Sequence, residues 1–187
     1  MARAYPLSDT AAQRLIAELG VKVPRFGLPE LAQETADIEL GETFEVWMLG
    51  QDKITSGGET MQALAENIER FHHQIFVNGR PALFARSKRH PHWHVVAVHV
   101  SDLARDIDEA IIWIDQYGLE ETDARLLSVP AHYVHAFWLT NAGEDRFYLV
   151  QFPPSSPFHD FEKGRLYDTS AFLSLLQALP FEEGRFA

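Results

Sequence analysis

Six of the nine histidines in this chain fall in two short apolar stretches, His90-Pro-His92-Trp-His94-Val-Val-Ala-Val-His99 and Pro130-Ala-His132-Tyr-Val-His135-Ala-Phe-Trp138. Imidazole is a common metal ligand and the side chain that changes charge most readily near neutral pH. On a strand, His92 and His94 project from one face, as two ligands of one metal must. His90 shares that face only if the strand begins before Pro91, and His99 has the opposite parity. His132 and His135 are three apart. They oppose each other on a regular strand and meet only on a helical or bulged turn, which Pro130 permits.

The segment Pro130-Ala-His132-Tyr-Val-His135-Ala-Phe-Trp-Leu-Thr-Asn141 resembles the second cupin motif, in which proline, glycine, histidine and asparagine recur at set spacings. His92-Trp-His94 resembles the paired histidines of the first motif. The resemblance implies a β-barrel holding a divalent metal on His92, His94 and His135, with His132 as a substitute ligand. The chain departs from the pattern in several places. His132 stands at the glycine position, Leu139 at the asparagine position, and no glutamate follows His94 at the motif spacing.

Other candidates have plainer readings. Met61, Leu64, Ala65, Ile68 and Phe71 recur at helical spacing, so His72 and His73 are expected at that helix's C-terminus, where the dipole favours cations. Asp106, Asp108, Glu109 and Asp115 share a helix and are expected on its wet face. Arg86-Ser-Lys88-Arg89-His90 reads as a solvated basic loop, with anion binding as its functional reading. Ser56-Gly57-Gly58 before a helix reads as capping and turn chemistry, with anion binding through backbone N–H groups as its functional reading. Trp93, Trp113, Phe137 and Trp138 read as core. Pro154-Ser-Ser-Pro157 matches a proline-rich ligand only formally. The chain has no Gly-x-Ser-x-Gly elbow, Walker loop, Gly-x-Gly-x-x-Gly or His-Glu-x-x-His.

Composition narrows the classes further. The chain has 187 residues, is 46% hydrophobic and carries a formal charge of −11. That balance describes one globular domain, spanning 1–187, and disfavours nucleic acid and anionic membranes as partners. With no cysteine, thiolate chemistry and disulfides are excluded. The opening Met-Ala-Arg-Ala-Tyr-Pro lacks the apolar region of a signal peptide, so a cytoplasmic location is expected.

The elements that must position these residues read as follows. A helix over 9–19 is capped by Ser8 or Asp9 and ended by Gly20, and an irregular arm follows near 21–37. A strand follows at 44–49, then the 61–71 helix and a hairpin about Asn78-Gly79. The strand 93–100 is apolar on both faces and is expected in the sheet interior. A helix starting at Ser101 buries Leu103, Ile107, Ala110, Ile111 and Ile114 and stops at Gly118. A long strand from Ala124 to Leu139, bent at Pro130, a return strand from Arg146 to Phe152, and a final helix over 170–179 complete the chain. The expected core includes Val96, Val98, Ile107, Ile111, Val134, Phe137 and Leu149.

The fold expected is α+β. It is a mixed, largely antiparallel sheet with helices packed against it and one β-α-β crossover through the 101–118 helix; the alternative is an α/β sandwich. The leading functional expectation is a non-catalytic regulatory module that needs no cofactor and binds another protein or itself. The alternative is a small hydrolase or oxidoreductase using a histidine-held divalent metal.

Overall fold

The computed structural model describes residues 4–23, 37–55, 60–100, 102–117, 119, 122–152, 162 and 164–179. Helix α1 (Asp9–Lys22) leads to β1 (Ile38–Met48), the short α2 (Gln51–Ile54) and α3 (Met61–Leu64), and β2 (Glu66–Val77). Then come β3 (Arg80–Lys88), β4 (His94–Val100), α4 (Leu103–Gln116), β5 (Asp123–Val129), β6 (Val134–Asn141) and β7 (Glu144–Gln151). Strand β8 (Leu166–Asp168) and helix α5 (Thr169–Ala178) close the described chain. All eight strands form one sheet in the order β4-β3-β2-β1-β5-β6-β7-β8. β1 and β5 are its parallel pair, and every other pairing is antiparallel. The expected α+β architecture with a mixed sheet is what the chain builds. No helix among the described residues is long and apolar enough to cross a membrane.

Helix α4 organises the molecule. It runs beside β7, where Gln151 Nε2 donates to Asp106 Oδ2 at 3.4 Å and Trp113 packs on Tyr148 at 4.6 Å between ring centroids. It also packs on β3, five positions away in the sheet. In a flat sheet those strands would lie about 24 Å apart, whereas a helix is only about 10–12 Å across. The sheet therefore curls around α4. Leu103, Ile107, Ala110, Ile111 and Ile114 are all buried there against Phe44, Phe84, Leu126, Phe137 and Tyr148. The outer face is covered in two parts. α1 lays Leu15 and Leu19 on Ile75, Leu83 and Val95, while α5, α2 and α3 cover Trp47, Trp138 and Phe147.

Several local expectations hold. Ser8 caps α1 by accepting from Ala11 N–H, and Asn78-Gly79 turns the β2–β3 hairpin with both residues at positive φ. Others are corrected. α1 passes through Gly20 to Lys22. The bend at Pro130 is a full reversal, since Pro130–His132 form a 3-10 turn between the antiparallel β5 and β6. α4 joins two strands of one sheet, but β3, β2 and β1 lie between them. Following the pairings, β4 and β5 run in opposite directions, and the parallel partner of β5 is β1. Strand β4 is an edge rather than an interior strand, so Val96 is exposed, not core. The expected caps at Ser101 and Gly118, most of the 21–37 arm, Ser56-Gly57-Gly58 and Pro154–Pro157 lie outside the described residues.

The largest correction concerns the expected helix over 61–71. Only Met61–Leu64 is helical, and Glu66–Val77 is strand. In the β1–β2 ladder Trp47 faces Asn67 and Val46 faces Arg70, so Ile68 and Glu69 are extruded, with Glu69 at φ 52°. This bulge stretches the spacing of same-face residues from two to four, as from Asn67 to Phe71, which imitates a helical period. A second bulge in β1 includes Gly41. A Cβ there would lie 2.5 Å from the Phe76 ring and 3.0 Å from Gln74 Cβ. We expect Gly41→Ala to destabilise the protein by about 1–3 kcal/mol in urea unfolding. An unchanged midpoint would show that Phe76 can move aside.

Candidate functional site

The sequence-predicted residues are dispersed. His92 is exposed in the loop before β4, and His94 begins that edge strand with Nδ1 2.8 Å from the His92 carbonyl oxygen. His132 is buried in the 3-10 turn, and its Nε2 has no hydrogen-bond partner among the described residues. His135 lies on β6, facing α4 with Phe137 and Leu139. Among the described residues no three His, Asp or Glu side chains form a group able to hold a metal ion. The sheet has two edges, β4 and β8, so it is not the closed barrel implied by the cupin resemblance.

A different constellation forms on the inner face, near the start of α4. His72 on β2 pairs with Phe44 on β1 and Arg86 on β3, and Phe84 on β3 pairs with His99 on β4. The β3–β4 ladder skips Val96, because Arg86 faces Ala97 while Ser87 faces Val95. That bulge separates His99 from the outward parity of Val95 and brings its ring over Phe84, stacked at 4.8 Å. Arg86 Nε and Nη2 both donate towards His99 Nε2, at 3.1 and 2.6 Å. The curl of the sheet brings His135 of β6 towards this group, near Gln151, its partner on β7, and Asp106 of α4. Asp106 is buried, not on the wet face expected of it.

The electrostatics follow from burial. His72 is held well below the usual imidazole range, first by desolvation and then by the charges of His135, Arg86, His73 and His99. His135 is pushed down to about 4 by burial and by Arg86. His99 is lowered by burial and then by Arg86. Nδ1 of His72 and Nδ1 of His135 are both buried without a hydrogen-bond partner among the described residues. Each open position costs about 1–3 kcal/mol. Arg86 has no carboxylate within 4.0 Å among the described residues, so one guanidinium confronts three neutral rings.

His73 points to the outer face and has both ring nitrogens engaged. Nδ1 bonds with Thr43 Oγ1 at 2.9 Å and Nε2 with Ser87 Oγ at 2.6 Å. It is a satisfied structural histidine, pushed to about 4 by burial.

Sequence reasoning missed His72, Arg86 and His99 as a group. Reflection about Asn78-Gly79 makes His72 a strand residue rather than a helix cap, but it sets Arg86 opposite Phe71; only the register shift between Ile75 and Phe76 brings Arg86 opposite His72. Comparison with protein-family models, curated proteins and solved structures finds no match to this chain.

Proposed function

We propose that this protein is a non-catalytic regulatory domain that binds a small anionic ligand, a carboxylate or phosphate, at the His72–Arg86–His99–His135 cluster. The observation that carries this reading is the pair of buried Nδ1 atoms of His72 and His135, without a hydrogen-bond partner among the described residues, set beside an arginine with no carboxylate within 4.0 Å among the described residues. Buried polar atoms left open call for a partner. A guanidinium supplies forked donors to carboxylate or phosphate oxygens, and the imidazoles supply further N–H donors once protonated or in the matching tautomer. Arg86 and His99 are half-buried and form the approach, while His72 is buried behind them.

The lowered imidazole values support binding over acid–base catalysis. A base whose conjugate acid titrates near 4 is weak at neutral pH, far from the matched value general-base chemistry favours. A bound anion would stabilise the imidazolium forms, so affinity should rise as pH falls below neutrality.

The test is calorimetric titration with phosphate, sulfate and succinate. At least one should bind at millimolar or lower concentration, more tightly at about pH 6 than at about pH 8. Arg86→Met keeps the alkyl stem and should weaken binding at least about tenfold, an effect of about 1.4 kcal/mol. Arg165→Met, at an exposed arginine just before β8, should leave it unchanged. Equal affinities for parent and Arg86→Met would overturn the assignment.

A further inference from the structure

Strand β4 ends the sheet, and its sequence His94-Val-Val-Ala-Val-His-Val100 contains no lysine, proline or carboxylate to discourage pairing. Val96 and Val100 are 43% and 53% exposed. One stretch of the edge is already addressed from outside. The Val95 N–H donates to Glu18 Oε2 at 2.8 Å, and Lys22 Nζ donates to the Val95 carbonyl. Glu18 and Lys22, themselves 3.7 Å apart on α1, thus satisfy Val95 as a neighbouring strand would. Beside this clasp, at the start of β4, lies a cavity of about 280 Å³ lined by Ser8, Arg14, Arg89, His90 and His92 among others. The whole chain carries −11, yet this corner gathers Arg14, Lys22, Lys88, Arg89 and His90, with Glu18 paired to Arg14 at 4.0 Å and to Lys22 at 3.7 Å.

We propose that β4 and this cavity form a docking edge for an extended acidic segment of a partner protein. The segment adds to the sheet as a ninth strand beyond β4, displacing the Glu18–Lys22 clasp. Its main chain pairs with β4, alternate side chains cover Val96 and Val100, and a carboxylate side chain enters the cavity beside Arg14 and Arg89. Strand addition draws its affinity from main-chain hydrogen bonds and its selectivity from alternate side chains. Charge complementarity selects the partner: the basic corner repels a basic strand and attracts an acidic one. A second copy of this chain is disfavoured by the repulsion of two bodies that each carry −11. β4 spans about 23 Å, so a segment of seven to nine residues covers it, at roughly 3.3 Å per residue.

The experiment uses the full chain and two fluorescein-labelled peptides of about nine residues, one alternating Glu with Val and one alternating Lys with Val. Fluorescence anisotropy should show binding of the acidic peptide, weakened at least about tenfold when salt rises from about 0.05 to 0.5 M, and no binding of the basic one. Hydrogen exchange should slow at residues 95–100 on peptide addition. Arg89→Glu and Val100→Glu should each weaken the acidic peptide at least about fivefold, whereas Glu18→Gln, which loosens the clasp, should tighten it. Equal binding of both peptides, unchanged exchange in β4, or weaker binding in Glu18→Gln would each overturn the proposal. So would a concentration-dependent dimer with β4 already protected, which would assign the edge to a second copy.

Discussion

Replacing Ile111 with Asp is expected to remove about 4 kcal/mol of stability, because it buries an unpaired carboxylate inside the curled sheet. Ile111 is 8% exposed on the α4 face that meets Phe84 and Phe137, and sheet lies on both sides of the helix. A surface-lying helix could roll the new charge towards water, but α4 has strands on two flanks and cannot. Its neighbour Ile112 is 52% exposed, so Ile112→Asp should change stability by no more than about 0.5 kcal/mol. The pair is read by urea unfolding followed through tryptophan fluorescence. Similar midpoints for the two variants would mean that α4 is not enclosed as described.

Acid is expected to destabilise the fold through the same inner face and the His73 site. In the folded state His73 and His135 titrate near 4, and His72 is also strongly lowered. In the unfolded chain each returns to about 6.5. Between these values the unfolded chain holds more protons than the native one, so stability rises with pH across that window. The contribution is complete above about 6.5 and is lost as pH falls towards the folded value. From about pH 7.5 to pH 5, His73 alone should cost about 2 kcal/mol, with His135 adding a comparable amount and His72 acting in the same direction. Denaturant unfolding over that range should therefore report uptake of about two to three protons. His73→Gln should flatten the slope by about one proton, and His135→Gln by a similar amount. Slopes identical to the parent would show that these rings carry protons in the folded state, and the neutral cluster would have to be abandoned. If an anion occupies the site, adding it should flatten the same slope by stabilising the protonated rings, which ties this measurement to the binding test.

What was legible in the sequence was what local chemistry decides. The Ser8 cap, the reversal at Asn78-Gly79 and the five-residue stripe of α4 each depend on residues a few positions apart. A cap needs one side chain and one N–H. A tight reversal needs residues that accept positive φ, and a stripe needs only the period of the helix. Each can be read without knowing the rest of the molecule. The alternation of β6 was legible for the same reason, with Phe137 and Leu139 facing α4 and Val134, Ala136 and Trp138 facing outward.

The site was not legible, because ladders, bulges and curl decide it. Ile68-Glu69 and Val96 are extruded only because β1 and β3 pair with their partners in particular registers, and no local residue declares that. The first bulge disguised β2 as a helix and placed His72 and His73 at a surface terminus, although both lie in a buried strand. The second set His99 on the face of Arg86, against simple parity. The apolar run of β4 read as interior because hydrophobicity reports that a strand can be buried, not where it falls in the sheet order. His135 comes near His72, 63 positions earlier, because the sheet curls about α4. Sequence alone determined the outer helices, the Asn78-Gly79 turn, the stripe of α4 and the supply of histidine. Tertiary structure decided which imidazoles lost water, and so which of them face Arg86 uncharged.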